Sequence, residues 1–256
     1  MRKLRVLVLG QNGMAGHLIT DFFVKEDGYE IFGLEEELFL PANYNFITEI
    51  NNFQPDIIIN ALRVVVQESE EHPQKAVFIN SYVPKCIEKF YINSKVKIIH
   101  LSTDCVFSGE KGKYKETDIP DGKHMYSLTK YCGEIINNKD LTIRTSYIGP
   151  NQKYKHEELF DWFLNQRGEI DGYINVFWNG ITTLELAKII KQAIEKNICG
   201  LYHLCSEEKL SKFDLLFKIK NQWNKNDVLI NKKTNQKIDR SLIDTRKQFK
   251  VNQYDK

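Results

Sequence analysis

Residues 6–16 read VLVLGQNGMAG, and their pattern decides the fold class. Leu4–Leu9 reads as a buried strand, Gly10, Gly13 and Gly16 follow at once, and Met14–Lys25 has the spacing of an amphipathic helix. Downstream the same alternation repeats. Glu30–Leu34 reads as a second strand, and Ile57–Asn60 is a continuous apolar run expected to be buried on both faces. Lys75–Tyr91 has helical spacing, with a kink or break expected at Pro84. Val96–Ser102 reads as a strand, Met125–Asn137 as a helix and Leu141–Thr145 as the next strand. This order predicts an α/β protein with a doubly wound parallel sheet.

Beyond Gly149-Pro150 the pattern loosens, and Phe160, Trp162, Phe163, Tyr173, Phe177 and Trp178 crowd together. Thr182–Lys196 and Ser211–Trp223 read as helices and Gly200–Leu204 as a strand, while the tail after Asn224 is lysine- and asparagine-rich and poorly patterned. A chain of 256 residues with 42% hydrophobic residues accommodates one large domain and a smaller lobe. The 36 basic residues nearly cancel the 34 acidic ones, which gives no support to a nucleic-acid partner. The apolar runs are too short to cross a bilayer, and the N-terminal one is too short for a secretory signal, so no membrane partner is expected. Cys86, Cys105, Cys132, Cys199 and Cys205 show no C-x-x-C pairing. They read as reduced thiols of a cytoplasmic protein, with no metal site expected.

The three glycines directly after a strand have a chemical reading. A turn without side chains lets a pyrophosphate approach the backbone, and the helix N-terminus offers free N–H groups. Glu35 follows the second strand, nineteen residues after Gly16, where a carboxylate accepts hydrogen bonds from ribose hydroxyls and repels a 2′-phosphate. With no arginine immediately after this strand, the pattern favours NADH over NADPH. Glu36 and Glu37 come next, so a plain surface acid is the competing reading of Glu35.

Tyr126-Ser127-Leu128-Thr129-Lys130 places a tyrosine and a lysine one helical turn apart. A tyrosine ionises near pH ~10, and a neighbouring ammonium favours its phenolate. Such a tyrosine can protonate a carbonyl oxygen as hydride reaches the carbon. Thr103 ends a strand 23 residues upstream, and Arg144-Thr145-Ser146 ends the following strand on the edge where α/β ligands bind. Y-x-x-x-K also arises by chance in a lysine-rich chain with 12 tyrosines, so the surrounding features carry the reading.

These motifs resemble the extended short-chain dehydrogenase/reductase family, and within it the dTDP-4-dehydrorhamnose reductase-like branch. The matching segments are VLVLGQNGMAG (6–16), QPDIIINA (54–61), AVFINSYVP (76–84), IHLSTDCVFSG (99–109), YSLTKYCGE (126–134), LTIRTSYIG (141–149), WNGITTLEL (178–186) and GLYHL (200–204). The resemblance implies a Rossmann domain over residues 1–150, re-entered around 178–196, with a small C-terminal substrate-binding lobe in 151–256. It implies Thr103, Tyr126 and Lys130 as the catalytic set. The cofactor would meet Gly10, Asn12, Gly13, Met14, Gly16, Glu35, Asn60, Ala61, Asn80, Ser102 and Thr145, besides Tyr126 and Lys130. The substrate would meet Asp104, Val106, Phe107, Arg144, Ser146, Trp178, Asn179 and Arg240, although lobe packing explains Trp178 equally well.

The implied activity is NADH- or NADPH-dependent reduction of a 4-keto-6-deoxy nucleotide sugar for surface polysaccharide, by a chain whose exposed helices allow a homodimer. A nucleotide-sugar epimerase and a catalytically silent NAD(P)-binding regulatory subunit are the alternatives. Asp104 is followed by Cys105 where dehydratases carry a glutamate, which argues against dehydration. Leu62 and Arg63 stand where the family has small residues, and Arg63 either meets substrate phosphates or faces solvent.

Overall fold

The apolar runs of the first half pair as strands of one parallel sheet in the computed structural model, which describes residues 2–39, 45–151 and 158–252. In chain order the first half holds β1 (Leu4–Leu9), α1 (Met14–Val24), β2 (Tyr29–Leu34), α2 (Phe46–Asn52), β3 (Ile57–Asn60), α3 (Val66–Glu71) and α4 (Pro73–Ala76). A π-helical turn (Val77–Tyr82) leads into α5 (Val83–Tyr91), then β4 (Lys97–Thr103), α6 (Met125–Cys132), β5 (Leu141–Thr145) and β6 (Tyr147–Ile148). The second half holds α7 (Leu159–Asn165), β7 (Gly168–Tyr173), β8 (Val176–Trp178), β9 (Ile181–Thr182), α8 (Thr183–Glu195), β10 (Gly200–His203), β11 (Leu210–Ser211), α9 (Lys212–Gln222), β12 (Val228–Lys233) and β13 (Ile238–Asp239).

The six-stranded sheet runs β10-β5-β4-β3-β1-β2, and every adjacent pair is parallel. Successive strand residues face opposite sides. Val6, Val8, Ile57, Ile59, Ile99 and Leu101 pack with Ile19 and Phe23 of α1 and Leu186 and Ile190 of α8. Leu7, Leu9, Ile58 and Ile98 pack with Ile50 of α2 and with Val83 and Ile87 of α5. The crowded aromatic stretch becomes a separate core, in which Phe160, Phe163 and Trp178 meet Leu215, Ile219 and Val228.

Two expectations are corrected and a third is made specific. The helix expected over Met125–Asn137 ends at Cys132, because the chain caps at Gly133 and turns the Glu134 carboxylate inward to a buried arginine. Pro84 lies inside a continuous helical run, and the irregularity expected there takes the form of the wide π turn over Val77–Tyr82 just before it, where the proline leaves the ladder one N–H short. The tail is more ordered than its polarity implies. β12 pairs with β7 over six residues, and β13 pairs with β8. Only Val228 of β12 is buried, so backbone pairing rather than apolar periodicity makes that strand.

The seating of α6 depends on one close approach. A Cβ on Gly133 would stand 1.9 Å from the Asn80 carbonyl oxygen, so α6 reaches the π turn only because residue 133 has no side chain. Gly133→Ala is expected to cost about 1–3 kcal/mol through overpacking, read as a lower denaturation midpoint in urea.

Candidate active site

The carboxyl ends of β1, β3, β4 and β5 open onto two adjoining cavities. The smaller, of about 250 Å³, is lined by Gly10, Asn12, Gly13 and Met14 at the entry to α1. Gly10 has φ +78°, a conformation that favours glycine, and a Cβ on Gly16 would stand 2.0 Å from the Gly10 carbonyl oxygen. Gly16 therefore seats α1 against the turn rather than facing the cavity. No side chain caps the N-terminus of α1 and its first turn holds no acid, which leaves the positive end of the helix dipole for an anion. Glu35 is exposed and lines neither cavity. Glu36 lines the smaller one instead, 3.1 Å from Lys75, which also holds Glu68 at 2.6 Å.

The larger cavity, of about 760 Å³, brings together Ser102, Thr103 and Asp104 at the end of β4, Tyr126 and Lys130 of α6, Thr145 and Ser146 at the end of β5, and Trp178. Met14, Ala61, Arg63, Tyr147 and Glu158 line both cavities, so the two adjoin. Thr103 donates to Asp104 Oδ1 at 3.2 Å and accepts from the Cys105 N–H at 3.1 Å. The Lys130 ammonium donates to the Leu101 carbonyl at 2.7 Å. Burial, reinforced by the Arg63 charge, depresses Lys130 to about 7, with Glu134 pulling the other way. Burial pushes the Tyr126 phenol up, opposed by the Arg63 charge and by Thr103. Asp104 is also raised by burial, against the pull of Arg240 and Lys212.

Several residues assigned to ligands by sequence serve as internal braces. Asn60 donates to His100 Nδ1 at 3.1 Å and accepts from the Leu62 N–H at 3.1 Å. Asn80 accepts from the Val64 N–H at 2.9 Å and donates to Thr129 Oγ1 at 3.1 Å, tying α6 to the segment that carries Arg63. Arg144, 2% exposed, forms a two-pronged pair with Glu134, both contacts 2.7 Å, and Ser102 donates to the same carboxylate at 2.7 Å. Asn179 donates to the Ser206 and Leu242 carbonyls. Phe107 stacks on Tyr114, their ring centroids 4.2 Å apart, and Val106 shares that small core. Arg240 donates to the Phe107 carbonyl at 3.0 Å. None of Asn60, Asn80, Val106, Phe107, Arg144, Asn179 or Arg240 lines either cavity. Ser146 does, and it accepts from Trp178 Nε1 at 2.7 Å.

The cavities also recruit residues that sequence reasoning did not place there. Lys212 lines the larger one, its ammonium 5.8 Å from the Trp178 ring centroid and lowered by burial. Its neighbour Ser211 caps α9 through the Asp214 N–H, a signal that places the helix start but not the lysine's direction. Glu36, Lys75 and Glu158 carried no motif at all. Among the described residues no cluster of His, Cys, Asp and Glu forms a metal site, and no helix is long and apolar enough to cross a membrane.

The chain matches the RmlD substrate binding domain family over residues 4–242. It belongs to that family. A dTDP-4-dehydrorhamnose reductase of Aggregatibacter actinomycetemcomitans is 27% identical over 228 residues, 84% of this chain and 78% of the relative. Methionine adenosyltransferase 2 subunit beta of Bos taurus is 25% identical over 243 residues, 86% of this chain and 72% of the relative. The crystal structure of dTDP-4-dehydrorhamnose reductase from Bacillus anthracis in complex with NADP superposes with a TM-score of 0.80 at 23% identity, covering 91% of this chain and 85% of that one. These likenesses establish the Rossmann-like fold of the RmlD family.

The buried charges give two expected outcomes. Arg144→Met leaves the Glu134 carboxylate buried without its cation, so it is expected to cost about 3–5 kcal/mol of stability in denaturant titration. Lys130 binds its proton less well folded than unfolded, where its value is the ordinary 10.5. Wild-type stability should therefore gain from this group as pH rises from about 7 towards 10.5. The stability of Lys130→Met relative to wild type is expected to fall over that window, measured by urea melts at stepped pH.

Proposed function

We propose that this chain reduces the 4-keto group of a 4-keto-6-deoxy nucleotide sugar, using a nicotinamide dinucleotide, to supply a deoxy sugar for surface polysaccharide. The observation that carries this reading is the convergence of Thr103, Tyr126 and Lys130 in one cavity that adjoins the cradle formed by Gly10, Asn12, Gly13 and Met14. The cradle fits a dinucleotide: its glycines admit close backbone approach, and the uncapped start of α1 suits a pyrophosphate. When bound, the nicotinamide supplies the hydride. Tyr126 gives its proton to the carbonyl oxygen, and the Thr103 hydroxyl steadies that oxygen. Lys130 holds the ribose, and Thr145 borders the nicotinamide side. Asp104, Ser146, Trp178 and Lys212 face the sugar nucleotide, with Lys212 contributed by the start of α9.

Dehydration is disfavoured on chemical grounds. Burial pushes the Cys105 thiol up to about 12, so it cannot serve as the acid–base partner of Asp104 at neutral pH. For the coenzyme, the NADP of the Bacillus anthracis structure lends no support to the preference for NADH drawn from Glu35. Lys75 offers a cation to a 2′-phosphate at the rim of the smaller cavity, and Glu36 beside it offers a carboxylate to a free 2′-hydroxyl. Both coenzymes are therefore compared, NADPH first. The likeness to methionine adenosyltransferase 2 subunit beta supports a second reading, a cofactor-binding partner of another enzyme. The assembled Thr103, Tyr126 and Lys130 favour catalysis.

The test follows nicotinamide absorbance with freshly prepared 4-keto-6-deoxy nucleotide sugars. Tyr126→Phe is expected to lower kcat by about a hundredfold or more while coenzyme binding persists, because it removes only the proton donor. Undiminished turnover in that variant would remove Tyr126 from the chemistry.

A further inference from the structure

The residue that departs most from the family pattern, Arg63, stands beside the group whose proton moves. It leaves the segment after β3 and lines both cavities. Its guanidinium is ion-paired with Glu158, lies 5.5 Å from the Tyr147 ring centroid, and shares the larger cavity with the Tyr126 phenol, whose ionised form its charge favours. The segment carrying it is held from behind, since the Val64 N–H is bonded to Asn80 at 2.9 Å and Asn80 is bonded to Thr129 of α6 at 3.1 Å. The arginine and the tyrosine are thus fixed to each other through two short links.

We propose that Arg63 is a positioning residue for proton transfer, a second cation that with Lys130 stabilises the Tyr126 phenolate left when the substrate oxygen is protonated, with Glu158 holding it in place. This extends the reductase reading and rests on it for its catalytic meaning.

Lys130, one helical turn from Tyr126, donates to the Leu101 carbonyl, so Arg63 adds a second cation to the cavity that holds the phenol. Arg63 is held charged by Tyr147, Glu158 and Tyr126 against its own burial. A planar guanidinium also has donors to spare, so one edge can bind Glu158 while another faces the phenol. In the reduction, hydride adds to the carbonyl carbon from the nicotinamide and the O–H proton of Tyr126 moves to the oxygen. The negative charge then rests on the phenolate, next to Arg63, until solvent returns a proton.

Two measurements test this, one of which needs no turnover. With tyrosines replaced by the more acidic 3-fluorotyrosine, the 19F resonance of Tyr126, assigned by its loss in Tyr126→Phe, is titrated in wild type and in Arg63→Gln with NADP⁺ bound. The midpoint is expected to move to higher pH in Arg63→Gln and back towards wild type in Arg63→Lys; equal midpoints in all three overturn the proposal. In the substrate assay, Arg63→Gln is expected to lower kcat about tenfold or more, with a larger solvent deuterium isotope effect and with KM within about twofold. A raised KM with unchanged kcat and isotope effect would instead make Arg63 a clamp for the substrate's phosphates and overturn the proposal. A shifted midpoint in a protein that turns over none of the sugars would uphold the Arg63–Tyr126 coupling while removing the reductase reading.

Discussion

Parallel pairing of β10, β5, β4, β3, β1 and β2 forces every strand of the main sheet to end on the same edge, and the rest of the molecule answers that constraint. Four of these strands, β1, β3, β4 and β5, open onto the cavities at their carboxyl ends, and the helices that return the chain cover both faces. An edge so enclosed must satisfy its polar groups from within, because a buried group without a partner costs about 1–3 kcal/mol. Asn60, Asn80, Asn179 and the Arg144–Glu134 pair supply those partners.

The bracing residues decide the geometry of the site without touching it. Ser102 and Arg144 share the Glu134 carboxylate, so the ends of β4 and β5 are locked to the turn that follows α6. Asn80 and the absent side chain of Gly133 together set how deeply α6 sits against the π turn. Tyr126 and Lys130 ride on that helix. A rigid mount matters because proton and hydride transfer demand atoms held to within a fraction of an ångström.

The electrostatics of the cavity follow from the same enclosure. Burial penalises the charged form of every group, raising Tyr126 and Asp104 and lowering Lys130 and Lys212. Arg63 stays charged despite the same burial, because an arginine's value starts so high and Tyr147, Glu158 and Tyr126 favour its cation. In Arg144 the same property serves stability, since its charge is matched by Glu134 and shielded from solvent.

The sequence by itself determined the parallel α/β architecture, the glycine turn after β1 and the pairing of Tyr126 with Lys130. These depend on local spacing: alternation for strands, 3.6-residue periodicity for helices, and the four-residue step that puts two side chains on one helical face. It could not show which neighbours Arg144, Asn80, Asn179 and Arg240 bond within the protein. It also could not show that α6 stops at Cys132, or that the polar tail forms β12 and β13. Only the tertiary structure decided that Arg63 and Glu158, 95 residues apart, meet beside Tyr126, and that Lys212 turns into the cavity. Local pattern records which backbone conformation a segment prefers, but the partner of a polar side chain is set by long-range packing, which no spacing along the chain encodes.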